Sequence, residues 1–288
     1  MNINAASRIC AVIGDPVEHS LSPQIHNAAF RSAGINYAYV AFHVKRGDLK
    51  RAMEGVKSLG IRGMSVTIPH KIDIIPYLDQ TDEVSGNVGS VNTVVNEQGR
   101  LLGYSTDGHG ALRALEAEGV EVGGRRVVLL GSGGAARAIA FALATVKPLP
   151  HLTILGIEDE EREQLCRDLR SKTALDISSS YLADGSLEEA LGKAEILCHA
   201  TPVGMSPKSD QTVVPSHLLH SGLAVFDAVY TPFETRLLKE AKAAGAVIVP
   251  GLGMFVHQAA IQFELWTGQS APVEIMTETV KAALGEHA

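Results

Sequence analysis

The 288-residue sequence predicts an α/β fold with a Rossmann-type half, and two observations carry that prediction. Short β-branched apolar runs alternate with longer helical patterns along most of the chain, as in mostly parallel sheets flanked by helices. One run, Val127–Leu130, ends in Gly131-Ser132-Gly133-Gly134-Ala135-Ala136 and leads into an alanine-rich apolar segment. Strand, glycine turn and helix form the setting in which G-x-G-x-x-G/A marks a dinucleotide fold. The length is ample for one large or two medium cores.

Composition excludes several classes. The chain is 45% hydrophobic and 20% charged, with a net charge of −7, which argues against nucleic acid as the main partner. No apolar run approaches membrane-spanning length, and Met1–Arg8 lacks the apolar core of a signal peptide, so the expected location is cytoplasmic. Cys10, Cys166 and Cys198 are few, odd in number and widely spaced, which fits a reducing compartment without a disulfide framework. No Cys-x-x-Cys or His-x₃-His pair occurs, so no metal site is expected.

The elements follow in order. Arg8–Ile13 reads as a strand closed by Gly14-Asp15-Pro16. In the next loop Ser20 and Ser22, spaced i, i+2, present two hydroxyls on one side of an extended segment, suited to a carboxylate or a polyol. Ser22 also reads as an N-cap with Pro23 at the first helical position. Ile25–Ala33 is a helix ended by Gly34. Tyr37–Val44 is a strand, Leu49–Leu59 a helix and Ile61–Ile68 a strand stopped by Pro69. Lys71 lies just past that strand end, where open α/β sheets bind ligands; an ordinary surface lysine is the other reading. Gly89–Val95 reads as a strand, with a hairpin turn at Asn96-Glu97-Gln98-Gly99 and Leu101–Tyr104 returning. Asp107 reads as the cap of a helix over Ala111–Glu118, and equally as an acid facing a cleft.

From Gly124 the pattern is βαβ. Gly131 makes the tight turn, Gly133 lets a pyrophosphate approach, and Ala136 permits close helix–strand packing. The next strand, Leu152–Leu155, runs into Gly156-Ile157-Glu158-Asp159-Glu160-Glu161. Glu158 or Asp159 is placed to accept from a ribose 2′-hydroxyl, and the successive carboxylates would repel a 2′-phosphate. The expected cofactor is therefore NAD, with NADP disfavoured; the same acids also suit the first turn of a helix. Further strands are expected at Ala174–Ser178, Glu195–Ala200, Leu223–Val229 and Ala246–Val249. A helix over Thr235–Ala244 precedes the last of them. Pro250-Gly251-Leu252-Gly253 reads as a turn before helices Met254–Thr267 and Pro272–Leu284.

Taken together, the motifs resemble the shikimate dehydrogenase family, which includes quinate/shikimate dehydrogenases. They are Gly14-Asp15-Pro16, His19-Ser20-Leu21-Ser22-Pro23, His26-Asn27, Val66-Thr67-Ile68-Pro69-His70-Lys71, Val91-Asn92-Thr93 and Thr106-Asp107-Gly108. The later ones are Gly131–Ala138, Asp227-Ala228-Val229-Tyr230 and Gly251-Leu252-Gly253-Met254 through Gln258 to Trp266-Thr267-Gly268. The resemblance implies two α/β domains with a cleft between them: a mostly parallel substrate-binding catalytic domain over 1–107 plus 250–288, and a Rossmann-type cofactor domain over 108–249.

The activity it implies is hydride transfer between a nicotinamide cofactor and shikimate or quinate, in the shikimate pathway of aromatic amino acid biosynthesis. Lys71 and Asp107 would act as a catalytic pair beside the carbinol, the lysine exchanging the hydroxyl proton and the aspartate orienting it. Ser20 and Ser22 match the carboxylate-binding pair, and Ser65 stands in the same substrate site. Thr67, Asn92 and Gln258 match positions that contact ring hydroxyls, and Tyr230 lines the substrate side. The cofactor site would comprise Gly131, Ser132, Gly133, Gly134, Ala135, Glu158, Asp159, Thr201, Pro202, Gly251 and Met254. The implied partner is the small-molecule substrate, and the protein would be a monomer or homodimer.

Several positions depart from the family pattern. Ser65, Ser105 and His199 stand where asparagine is usual, Phe255 where leucine is usual, and Gly156-Ile157-Glu158 replaces the arginine-bearing turn of NADP members. Serine lacks the amide's fixed donor and acceptor, and hydrogen-bonded sites discriminate sharply. A paralogue acting on a related hydroxylated cyclohexane or cyclohexene carboxylate is therefore an alternative. A different two-domain dehydrogenase, such as a methylenetetrahydrofolate dehydrogenase, and a non-catalytic nucleotide-binding module are the others. The serine pair and Gln258 speak against the former, and Lys71 with Asp107 against the latter.

Overall fold

The computed structural model describes residues 3–146 and 148–285. Both termini of the expected first domain, Met1 and Ala288, lie outside the described residues. The strands and α-helices in chain order are β1 (Arg8–Gly14), α1 (Ser22–Ser32), β2 (Tyr37–His43), α2 (Leu49–Ser58), β3 (Gly63–Val66), α3 (His70–Asp73), β4 (Gln80–Thr81), α4 (Glu83–Val88), β5 (Thr93–Glu97) and β6 (Arg100–Tyr104). They continue as α5 (Asp107–Ala117), β7 (Arg126–Leu130), α6 (Gly134–Val146), β8 (His151–Gly156), α7 (Asp159–Lys172), β9 (Ile177–Tyr181), α8 (Asp184–Leu191), β10 (Ile196–His199), β11 (Ala224–Asp227), α9 (Arg236–Ala243), β12 (Val247–Pro250), α10 (Gly251–Thr267) and α11 (Val273–Ala283). Two compact units result, Met1–Thr106 with Val256–Ala288, and Asp107–Phe255.

The first unit is built on a six-stranded sheet of order β2-β1-β3-β5-β6-β4. The β1–β2, β1–β3 and β4–β6 pairs are parallel, and the β3–β5 and β5–β6 pairs antiparallel. The antiparallel part comes from the expected hairpin. Glu97 pairs with Arg100 across a two-residue loop, in which Gln98 and Gly99 have φ of 55° and 92°, the signs a type I′ turn requires. Apolar residues of β1, α2, β3, β5 and β6, among them Ile13, Met53, Met64, Val94 and Leu101, form one core. On α10, Trp266 is buried and donates its indole N–H to the Val94 carbonyl at 3.0 Å.

The second unit carries a six-stranded sheet of order β12-β11-β10-β7-β8-β9, parallel in every pairing. Counted from β7 this is the Rossmann order 3-2-1-4-5-6. Its inner strands β7, β8, β10 and β11 are buried nearly throughout, as parallel strands covered on both faces must be, while the edge strands β9 and β12 are more exposed. The alanine-rich α6 packs closely on α5. A Cβ on Gly108 would lie 2.2 Å from the Ala138 carbonyl oxygen, so only glycine fits there.

Several expectations are corrected. Ser22 is the first residue of α1 and Leu21 occupies the N-cap position, so Ser22 does not cap. Leu21 is αR rather than extended, so Ser20 and Ser22 do not lie on one side of an extended strand. Asp107 opens α5 rather than preceding it, where a carboxylate favours the helix N-terminus. Lys71 lies past the end of β3, as expected, on the short helix α3. No turn separates β12 from α10, because the helix begins at Gly251. There a Cβ would lie 2.6 Å from the carbonyl oxygens of Asp227 and Val229. The strand expected at Ala174–Ser178 forms at Ile177–Tyr181.

Candidate active site

The first unit gathers polar side chains of distant sequence origin into one buried network. Ser65 lies on β3 with its hydroxyl between two partners: Tyr39 Oη donates to it at 2.6 Å, and it donates to Gln262 Oε1 at 2.7 Å. Gln262 Nε2 donates to Thr93 Oγ1 at 2.9 Å, and Thr93 Oγ1 donates to Asn92 Oδ1 at 2.9 Å. Asn92 Oδ1 also accepts from the Thr106 N–H at 2.8 Å, and Asn92 Nδ2 donates to Thr106 Oγ1 at 3.0 Å. His26 stacks on Tyr39 with ring centroids 4.5 Å apart, and its Nε2 lies 3.3 Å from Gln262 Oε1. Burial depresses the His26 pKa to about 3, against a partial opposing pull from Gln262. Burial likewise pushes the Tyr39 phenol up, while its bond to Ser65 lowers it.

Other expected substrate residues of this unit surround that network in the chain. The Ser22 N–H donates to Ser20 Oγ at 3.3 Å, so the two serines are coupled through the backbone. Thr67 closes on β1: a Cβ on Gly14 would lie 2.5 Å from Thr67 Cγ2. Lys71 is half-buried on α3, and its carbonyl accepts from the Val91 N–H at 2.8 Å. That bond ties α3 to the segment leading into Asn92. Gln258 is half-buried on α10, one helical turn before Gln262. Pattern reading did not single out Tyr39 and Gln262. The i, i+4 spacing of Gln258 and Gln262 was the one available signal for the latter.

In the second unit the strand order reverses between β7 and β10, the position where α/β sheets bind ligands. Gly131 follows β7 with φ of 109°, a value reserved for glycine. A Cβ there would lie 2.7 Å from the Ala200 carbonyl oxygen and 3.4 Å from Thr201 Cγ2, so the two loops meet in close contact. Ser132 is half-buried; Gly133, Gly134 and Ala135 are exposed, and Ala136 is buried. Pro202 is exposed. Tyr230 stacks on Phe255 with centroids 5.0 Å apart, and burial raises the Tyr230 phenol. Gly251 and Met254 are buried in α10, and Asp107 is half-buried at the start of α5. Among the described residues no cluster of His, Cys, Asp or Glu could hold a metal ion, and no helix is long and apolar enough to cross a membrane.

A parallel sheet in Rossmann order with a glycine turn at its switch point, on a chain with a second α/β unit, defines the class as a two-unit α/β protein of the dinucleotide-binding type. Family models place it within that class. Residues 12–94 match the shikimate dehydrogenase substrate binding domain, and residues 251–281 the shikimate 5′-dehydrogenase C-terminal domain. The shikimate dehydrogenase (NADP(+)) of Moorella thermoacetica is 43% identical over 286 residues, covering 99% of this chain and 96% of its own. That of Methanopyrus kandleri is 44% identical over 282 residues, 97% of each chain. The shikimate 5-dehydrogenase of Listeria monocytogenes, solved with shikimate and NAD, superposes with a TM-score of 0.93 at 35% identity, covering 97% of this chain and 98% of its own. The chain belongs to the shikimate dehydrogenase family.

The expected preference for NAD is overturned by the relatives of Moorella thermoacetica and Methanopyrus kandleri, both named for NADP(+). The acidic run that motivated it has a structural explanation. Asp159, Glu160 and Glu161 form the first turn of α7, where carboxylates offset the helix dipole. Asp159 is also paired with the buried Arg162 at 2.6 Å, and Arg162 in turn donates to the Gly156 carbonyl at 2.8 Å. Four carboxylates in sequence therefore do not act as four free charges facing a ribose.

Proposed function

We propose that this protein interconverts shikimate and 3-dehydroshikimate with NADP⁺ as hydride acceptor. The observation that carries the reading is identity above 40% over nearly the full length of curated shikimate dehydrogenases. The buried hydroxyl and amide network around Ser65, Asn92, Thr106 and Gln262 supports it, because a polyhydroxylated ring needs such partners. In this reading Met1–Thr106 with Val256–Ala288 holds the substrate, and Asp107–Phe255 the cofactor.

The reaction divides between the two reacting atoms of the carbinol. Hydride leaves carbon for the nicotinamide, which is the chemistry that the cofactor supplies. A proton must leave the oxygen, and Lys71 accepts it as general base. Asp107, at the start of α5, is the acid of the proposed catalytic pair. Ser20 and Ser22 hold the carboxylate, Thr67, Asn92 and Gln258 the ring hydroxyls, and Tyr230 is a further substrate residue. Ser65 acts by fixing Tyr39 and Gln262. On the cofactor side, Gly131–Ala135 receives the pyrophosphate at the start of α6, where unpaired N–H groups favour an anion. Thr201, Pro202, Gly251 and Met254 lie along the dinucleotide.

The test is a steady-state comparison of shikimate and quinate, each with NADP⁺ and NAD⁺, on purified protein. Turnover of shikimate with NADP⁺ at the highest kcat/KM of the four is expected. Turnover of neither acid with either nucleotide would refute the reading, and quinate as the better substrate would replace it.

A further inference from the structure

The second unit contains a buried polar relay whose members His199, Asp227 and Thr235 the chemistry above does not use. It joins β10, β11, the start of α9 and the loop that meets the glycine turn. His199 ends β10 and Asp227 ends β11, paired side by side in register and both buried. Their side chains meet at 2.8 Å, His199 Nδ1 to Asp227 Oδ1. Asp227 Oδ1 also accepts from the Val229 N–H at 3.0 Å, and Asp227 Oδ2 from Thr235 Oγ1 at 2.6 Å. Thr235 is the N-cap of α9 and its oxygen accepts from the Leu238 N–H at 3.3 Å. On the other side, His199 Nε2 lies 2.5 Å from Thr201 Oγ1, which itself accepts from the Val203 N–H at 3.3 Å.

Partner chemistry assigns the imidazole. A carboxylate only accepts, so Nδ1 carries the proton toward Asp227, and Nε2 offers its lone pair to the Thr201 hydroxyl. Every polar atom along the line is then used: Asp227 takes three donors, and Thr201 donates once and accepts once. Thr201 is thus gripped by its hydroxyl. Its methyl carbon faces the other way, 3.4 Å from the position a Cβ would take on Gly131. Anchoring Thr201 therefore sets the wall against which the glycine turn packs.

We infer that the Asp227–His199 pair is a positioning device for the dinucleotide: it locks Thr201 beside the Gly131 turn and so preorganises the cofactor-binding edge. The inference rests on the reading that this unit binds a nicotinamide dinucleotide. Geometry supplies discriminating variants. An asparagine amide nitrogen is as many bonds from Cα as His Nδ1, so His199→Asn keeps the bond to Asp227 and gives up the one to Thr201. Thr201→Val gives up the same bond from the other end while keeping the methyl.

The readout is the Kd for NADPH, taken by fluorescence titration without substrate, so an error about the substrate leaves it intact. A rise of about fivefold is expected for each single variant, the scale of one lost neutral hydrogen bond. The double variant should be no weaker than the weaker single, because both remove one interaction. Unchanged Kd, factors that multiply, or wild-type protein that binds no NADPH would each overturn the inference. Should a variant fail to fold, ¹⁵N-histidine NMR on wild-type protein decides. It should show His199 with Nδ1 protonated and Nε2 not, and resonances that move when NADPH is added. The opposite tautomer, or resonances indifferent to NADPH, contradicts the inference. Normal NADPH binding and coupling without shikimate turnover would refute the functional reading alone.

Discussion

Lys71 is where the proposed chemistry can be tested at a single residue. Its removal leaves the serines, Asn92 and the glutamines of the first unit in place. Lys71→Ala should therefore lower kcat by about 10²- to 10⁴-fold, the usual contribution of a positioned acid–base group, with the KM for shikimate within a few-fold. Steady-state kinetics with NADP⁺ checks both; near-full turnover would remove the lysine from the mechanism. His26 makes a different prediction, about stability. Burial disfavours the imidazolium and holds its pKa in the folded chain down at about 3, below the ordinary 6.5. The unfolded chain takes up this proton below pH 6.5 while the folded chain does not. The contribution is thus intact above pH 6.5 and drains away as the pH falls toward 3, with a slope of about 1.4 kcal/mol per pH unit. Urea unfolding at pH 7 and pH 4.5 should show that loss, and His26→Asn should remove that part of it.

Among elements, close packing at glycines governs where α5 and α10 settle. A Cβ on Gly63 would sit 2.2 Å from the Trp266 ring, so β3 and α10 touch only because the side chain is missing. Gly63→Ala should cost about 1–3 kcal/mol by overpacking, read as a lower urea midpoint at unchanged slope; no loss would mean that the indole moves freely. Gly108→Ala should behave similarly at the α5–α6 contact. Such constraints explain what pattern reading could and could not find. The Asn96–Gly99 hairpin was legible because turn chemistry is local. The glycine turn with β7 and α6 was legible because three consecutive patterns agree. The helices α3 and α4, of four and six residues, are too short for a 3.6-residue period to register. Gly251 and Gly253 read as a turn because their composition says loop, whereas the end of β11 against Gly251 and Ala114 of α5 against Gly253 favour glycine inside a helix.

For the molecule as a whole, the α/β class, the parallel second sheet and the family were legible, because the motifs run the length of the chain; the two-residue β4 was not. The linkage of Tyr39, Ser65, Thr93 and Gln262 was not, since each partner comes from a separate element and has no local signature. The cofactor was misread for an electrostatic reason: Glu158–Glu161 were counted as free charges, and a helix N-terminus together with Arg162 accounts for them. The proposed function turns on a direct hydride path from the carbinol carbon of shikimate to the nicotinamide ring. Shikimate carrying deuterium on the carbon to be oxidised, followed by mass spectrometry of the reduced cofactor, is the deciding measurement. One deuterium per NADPH formed is expected. NADPH without the label, or no NADPH at all, would contradict it.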